Sequence, residues 1–136
     1  MTFDTKIALI IRVDLETWQK VNVAAFLASG IVAENPECIG KPYEDASGTQ
    51  YAKLCGQPII IYGADAAGLT RALDRAITRG VKPALYTKEM FSTMNDDDNR
   101  KVVKDVARAD LDLVGIAIRA DRKVIDKIVD KLKFLQ

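Results

Sequence analysis

Seven polar residues fall where strands and helices in alternation would gather them: Arg12, Asp14, Lys20, Asn22, Asp45, Thr87 and Lys88. Arg12 and Asp14 follow a first apolar run, and Lys20 and Asn22 open the helix behind it. Asp45 sits in a glycine-punctuated turn, and Thr87 and Lys88 follow a later strand. In an α/β sheet, ligands bind beyond the carboxyl ends of parallel strands. Two acids, several bases and an amide converging there would make a polar cleft. A helix start beside it would offer free N–H groups to an anion. Asn22 is the hardest of the set to explain as packing, because an interior asparagine is a poor helix former and wants partners. The others have plainer readings: Arg12 can pair with Asp14 at a sheet edge, and Asp45 can bond the amides of its own turn.

The residue inventory narrows the chemistry. The 136 residues contain no histidine. Ser-His-Asp and Cys-His catalysis, histidine metal ligands and an imidazole proton shuttle are excluded. Acid–base work falls to Asp, Glu, Lys, Tyr or a thiol with a shifted pKa. Cys38 and Cys55, the only cysteines, lie 17 positions apart with no CxxC pattern. They cannot make a structural zinc site, and with no secretory pattern they read as reduced thiols in the cytoplasm. No cofactor is expected. The net charge is +1, from 20 basic and 19 acidic side chains, so no global field holds nucleic acid. Lys123, Lys127 and Lys131 form a basic row at i, i+4 spacing that could meet phosphates, but such a row is more often a solvated face. No apolar run approaches the roughly 18 residues of a membrane span.

These residues need elements to position them. Residues 6–13 form a near-continuous apolar run, the mark of a strand buried on both faces. The small and apolar residues Val21, Ala24, Ala25, Ala28 and Val32 then recur at helical spacing, an alanine-rich face for close approach to a sheet. Turn chemistry at 45–48 predicts a short hairpin from Pro42–Glu44 to Thr49–Tyr51. A second buried strand covers residues 58–63. Asp65 caps a helix bearing Leu69, Ala72, Leu73, Ala76 and Ile77, and Gly80 ends it. Residues 83–87 and 112–118 are further strands, with a short amphipathic helix from Arg100 to Ala107 between them. Asp121 caps a last helix, and the tail from Lys133 has the pattern of a short edge strand. The expectation is one domain over residues 1–136. It is an α/β three-layer sandwich, a four-stranded, mostly parallel or mixed sheet with helices on both faces.

The run Lys6–Leu15 with its alanine-rich helix resembles the opening of the type-2 peptidyl-tRNA hydrolase superfamily. Gln57–Tyr62, Gly80–Leu85 and Leu113–Ile118 are similar to its later strands. Within that superfamily, Asn22–Ala25, Gly40, Asp45-x-x-Gly48 and the Pro58 strand resemble an uncharacterised bacterial family, domain of unknown function family 2000. The match implies the hydrolase-like fold but not its machinery. Aligned on it, the hydrolases' second lysine falls on Asn22, their glutamine on Phe26 and their histidine on Ser29. Their acidic stretch after the third strand falls on Lys88-Glu89-Met90.

The resemblance and the residues together predict a small cytoplasmic homodimer that binds a small molecule or peptide in the cleft at the strand ends. One rival is a diverged hydrolase of peptidyl-tRNA or another ester or amide. In it Lys20 or Asn22 would orient water, with Asp14 or Asp45 as base. The other rival is a non-catalytic regulatory or interaction module. Trp18, Phe26 and Met90 are candidates for a subunit contact or the core.

Overall fold

The computed structural model describes residues 3–136. Ile7–Ile11, lacking any polar side chain, form the centre of β1 (Thr5–Arg12) and are wholly enclosed. The chain continues through α1 (Thr17–Glu34), the hairpin strands β2 (Tyr43–Glu44) and β3 (Gln50–Tyr51), β4 (Ile59–Ala64) and α2 (Ala66–Thr78). Then come β5 (Ala84–Thr87), α3 (Asp96–Lys104), β6 (Leu113–Asp121), α4 (Arg122–Ile128) and β7 (Lys133–Phe134). Three-residue helical turns at Pro36–Cys38 and Arg108–Asp110, and a five-residue one at Lys88–Ser92, join some of them.

The main sheet has five strands in the order β5-β6-β1-β4-β7, and only β1 and β4 pair in parallel. The sheet is mixed, one of the two expected forms, but it has five strands rather than four and is not mostly parallel. The tail pairs antiparallel with β4 through Tyr62 and Phe134, capping an edge that would otherwise expose unpaired backbone. And α2 carries the chain past β1 to the far edge, where β5 pairs antiparallel with β6. Because β6 is itself antiparallel to β1, β5 runs in the same direction as β1 and β4. The ends of all three strands therefore lie along one edge of the sheet.

Two cores flank the sheet. Ala8, Ile10, Ile116 and Ile118 face Leu69, Ala72, Leu73 and Ala76 of α2 and Ile125 and Ile128 of α4. Ile7, Leu9 and Ile11 face Val23, Leu27 and Ile31 of α1. The three layers, with helices on both faces, are as the alternation of elements implies. A bulge in β6 sharpens the packing: Tyr86 pairs with Gly115 but Thr87 with Leu113, leaving Val114 as the extra residue. That insertion is why Val114 joins the α1 core and Ile116 the opposite one. At Gly115 an added Cβ would lie 2.7 Å from Val23 Cγ1 and 2.9 Å from Leu27 Cδ1, so α1 closes on the sheet where a side chain is missing.

The helix face is a second correction. The expected stripe held Val21, Ala24, Ala25, Ala28 and Val32; of these Ala24, Ala28 and Val32 pack half-buried against the core and Val21 and Ala25 are exposed, while the enclosed residues are Val23, Leu27 and Ile31. From Val21 to Ala33 the helix has no charged residue, so periodicity alone does not select a face. Packing does: each large branched chain gains roughly 1.5–3 kcal/mol on full burial, more than an alanine can. Trp18 and Val21 are left 58% and 64% exposed.

Local chemistry sets the element ends. Glu16 and Gln19 form a reciprocal capping box at the start of α1. Asp65 accepts the Gly68 amide at 2.7 Å, and Gly80 takes a left-handed φ of 72° after α2. β2 and β3 pair as a separate two-stranded sheet. Every residue from 41 to 54 is exposed, so this hairpin projects as an arm.

Candidate functional site

The strand ends close on an ion-pair cluster. Arg12 donates from Nε to Asp14 at 2.8 Å, and from Nη1 to Asp112 at 2.7 Å and to the Leu113 carbonyl at 3.1 Å. Burial works against the guanidinium charge, but the bonds to Asp112 and Asp14 outweigh it and raise the Arg12 pKa. The same bond holds the Asp14 carboxyl below its ordinary range, with help from nearby Lys88. The Lys88 amide donates to the Asp112 carbonyl, tying the end of β5 to the start of β6. Arg12, Asp14 and Lys88 thus come together, but as a closure between strand ends rather than an open cleft.

The other expected residues go elsewhere. Thr87 is enclosed, its hydroxyl without a partner among the described residues. Lys20 is half-buried in the first turn of α1. Asp45 belongs to the arm, where its carboxylate accepts the Ser47 and Thr49 amides and the Tyr51 hydroxyl. The Tyr51 bond, first, and then those amides hold Asp45 below the usual carboxylate range. Lys123 and Lys127 meet Arg75, Arg79, Asp126 and Asp130 along a polar groove of about 500 Å³. Lys131 follows the end of α4 with φ 70°, so the three lysines are not one helical row.

Asn22 leads to a different place. Its side-chain amide donates to the Tyr86 hydroxyl at 3.4 Å. Tyr86 centres an aromatic cluster, with Phe91 at 5.2 Å and Phe26 at 5.9 Å between ring centroids, and Trp18 stands edge-on to Phe91 at 5.8 Å. Beside this cluster a groove of about 560 Å³ opens between α1, β5 and α3. Phe26, Leu27, Ala84, Tyr86, Met90 and Val103 make its apolar wall. Gly30 widens it, since only Ala84 Cβ lies near its missing side chain, at 3.4 Å. Asp96, Asn99, Arg100 and Lys104 bring polar groups from α3 to the same groove. Arg100 is engaged by Asp96 and Asp97, whereas Lys104 has no ion pair among the described residues. Asn99 accepts the Thr93 hydroxyl through its carbonyl, and its amide hydrogens have no acceptor among the described residues.

A family model described as a protein of unknown function, DUF2000, matches residues 5–136. The chain belongs to this family. Among solved structures, a protein of unknown function from Agrobacterium tumefaciens strain C58 is similar, with 45% identity and a TM-score of 0.97 over 99% of this chain and 100% of that one. No curated protein matches. The family model carries the family and the solved structure the α/β fold, and neither names an activity.

Of the residues that form the groove in this DUF2000 chain, the sequence flags Phe26 and Met90 as interface or core candidates, and the resemblance flags Phe26 and Ser29. Leu27, Ala84, Tyr86 and Val103 carry no signal of their own, because a groove wall and a core are built from the same residue types. Asn99 and Lys104 lie in a polar, charged segment that resembles any solvated helix. A further pointer is Asn22, a polar residue in an uncharged helix, which leads to Tyr86. Among the described residues no three Cys, Asp or Glu side chains are grouped to hold a metal ion, and no helix is long and apolar enough to cross a membrane.

Proposed function

We propose that the chain is a binding protein for a small, largely apolar molecule that carries one anionic or hydrogen-bond-accepting group. The groove between α1, β5 and α3 carries this reading. Its volume of about 560 Å³ lies within the roughly 300–1,000 Å³ of small-molecule sites. Such sites pair apolar walls with a few placed polar groups, here the Asn99 amide and the Lys104 ammonium. The resemblance to the hydrolase superfamily fits the same place. Phe26 and Ser29, aligned with the hydrolases' glutamine and histidine, both line the groove. The fold's reaction site is thereby recast with a hydrocarbon wall. The diverged-hydrolase reading finds less support: Asp14, Asn22 and Asp45 each bond a different partner set.

This reading includes a homodimer in the cytoplasm, formed through the outward face of α1. Trp18, Val21, Ala25 and Ser29 share that face, and none is charged. A solvated helix face of this length ordinarily carries charge, and depletion of charge with exposed aromatic residues marks subunit interfaces.

The test is a thermal-shift screen of aromatic and aliphatic carboxylates against the wild type and Gly30→Leu. Leucine at position 30 would project toward Ala84 and fill the groove. A carboxylate that raises the melting temperature of the wild type, loses that effect in Gly30→Leu and weakens with Lys104→Ala supports the site. A shift that survives Gly30→Leu unchanged places binding elsewhere and refutes it.

A further inference from the structure

The two cysteines meet at the root of the arm. Cys38 ends the helical turn after α1, and Cys55 precedes β4. Between them, Ile39 and Cys55 form an antiparallel bridge. The Gly56 amide donates to the Cys38 carbonyl at 2.7 Å and the Gly40 amide to the Leu54 carbonyl at 2.8 Å, so the bridge is tight on both sides. Directly opposed residues of an antiparallel pair have Cα atoms about 4.5–5.5 Å apart. Cys38 is the chain neighbour of Ile39, which opposes Cys55 directly, and a disulfide spans Cα separations of about 4.4–6.8 Å. Strand alternation would turn the two side chains to opposite faces, but Cys38 sits in a helical turn. Both thiols pack into the α1-side core.

The pair is asymmetric. Cys38 is buried, whereas Cys55 is only partly so and its thiol donates to the Gln57 carbonyl at 3.5 Å. Burial, first, and then the neighbouring Cys55 thiol push the Cys38 thiol up. Cys38, Ile39, Gly40, Gly56 and Arg119 line a surface cavity of about 480 Å³ beside the bridge. Arg119 is held there by Glu37 at 2.8 Å and by Asn35 and Gln57 at 3.2 Å each.

We infer that Cys38 and Cys55 are a reversible oxidation site, closed by exchange with a low-molecular-weight disulfide, that clasps the base of the 41–54 arm. The Cys55 thiolate attacks one sulfur of the small disulfide, forming a mixed disulfide and releasing one thiolate. The Cys38 thiolate then attacks the Cys55 sulfur and releases the second. Two protein thiols and one small disulfide become one protein disulfide and two small thiols. The protein loses two electrons and two protons, and the small disulfide gains both. The inference stands independently of the proposed ligand groove.

The experiment is intact-mass and peptide mapping of the full chain equilibrated with excess oxidised glutathione. The expected product is a monomer lighter by two hydrogens, with Cys38 linked to Cys55, restored by a reduced thiol. Cys38→Ser should stop at a glutathione adduct on Cys55. Cys55→Ser should react at least tenfold more slowly, because its remaining thiol is buried. A wild type that halts at the adduct, joins only between chains, or keeps both thiols open to alkylation would overturn the assignment.

Discussion

At Gly115 a single missing methyl decides how closely α1 approaches the sheet. The space an alanine Cβ would need is occupied by Val23 and Leu27, both enclosed. Overpacking of a core usually costs about 1–3 kcal/mol. Gly115→Ala should therefore lower stability by that order, seen as a lower denaturant midpoint at an unchanged slope. Asp45 tests a different kind of contact. Its carboxyl is held below the ordinary range, so its bonds stabilise the arm above the unfolded carboxylate pKa, and that contribution is lost as pH falls through the folded value. Tyr51→Phe removes the first of the causes. The Asp45 titration, followed by carboxyl carbon NMR, should then move up toward the ordinary value. An unchanged titration would mean that the turn amides alone set it. Asp45 as a turn-stabilising residue was the plainer of its two readings, and the structure shows those turn bonds.

Among the α-helices, α3 is the least anchored. None of its residues is buried, and its amphipathic pattern is expressed by half-buried Val102 and Val103. Elements with few buried contacts open at lower free energy than core helices. The α3 amides should exchange with solvent faster than those of α1 and α2, measured by native-state hydrogen exchange. Protection equal to α1 would contradict this. The helix depends on its Asn95 cap, which accepts the Asp98 amide at 2.9 Å. Asn95→Ala should cost about 0.5–2 kcal/mol, and the loss should fall chiefly on α3. Because α3 supplies one wall of the groove, ligand binding should slow its exchange more than that of any other helix. The expected helix from Arg100 to Ala107 begins four residues earlier in the structure, since Asp96, Asp97 and Asp98 belong to its first turn rather than preceding it. Acidic side chains in that turn favour the helix N-terminus.

For the whole molecule, the prediction concerns association. If the uncharged face of α1 is a subunit contact, Val21→Glu places a carboxylate at its centre and should shift the wild-type dimer to monomer. Sedimentation velocity across micromolar concentrations measures this. A wild type that is monomeric throughout would refute the homodimer and leave Trp18 and Val21 as solvent-facing residues. Val21 is 64% exposed in the single chain, so the substitution should cost little folding stability and the readout stays separable from unfolding.

The order of elements and the buried centre of β1 follow from the residues themselves, because hydrophobic period and turn chemistry act locally. The hairpin at Asp45–Gly48, the Asp65 cap and the left-handed Gly80 are local too, and all were readable. Three features were settled only by tertiary structure. The buried face of α1 depends on competition between large and small apolar residues for the same sheet, which an uncharged helix leaves open. The edge chosen by β5, and the pairing of the tail with β4, depend on long-range ladder bonds with no local signature. The candidate site differs from the expected one for the same reason. Arg12, Asp14 and Lys88 do converge at the strand ends, as direction along the sheet requires, but Asp112 arrives from a distant segment and neutralises them. The open space lies instead beside β5, where α1 and α3 fail to meet, and a gap between elements is encoded by no single residue.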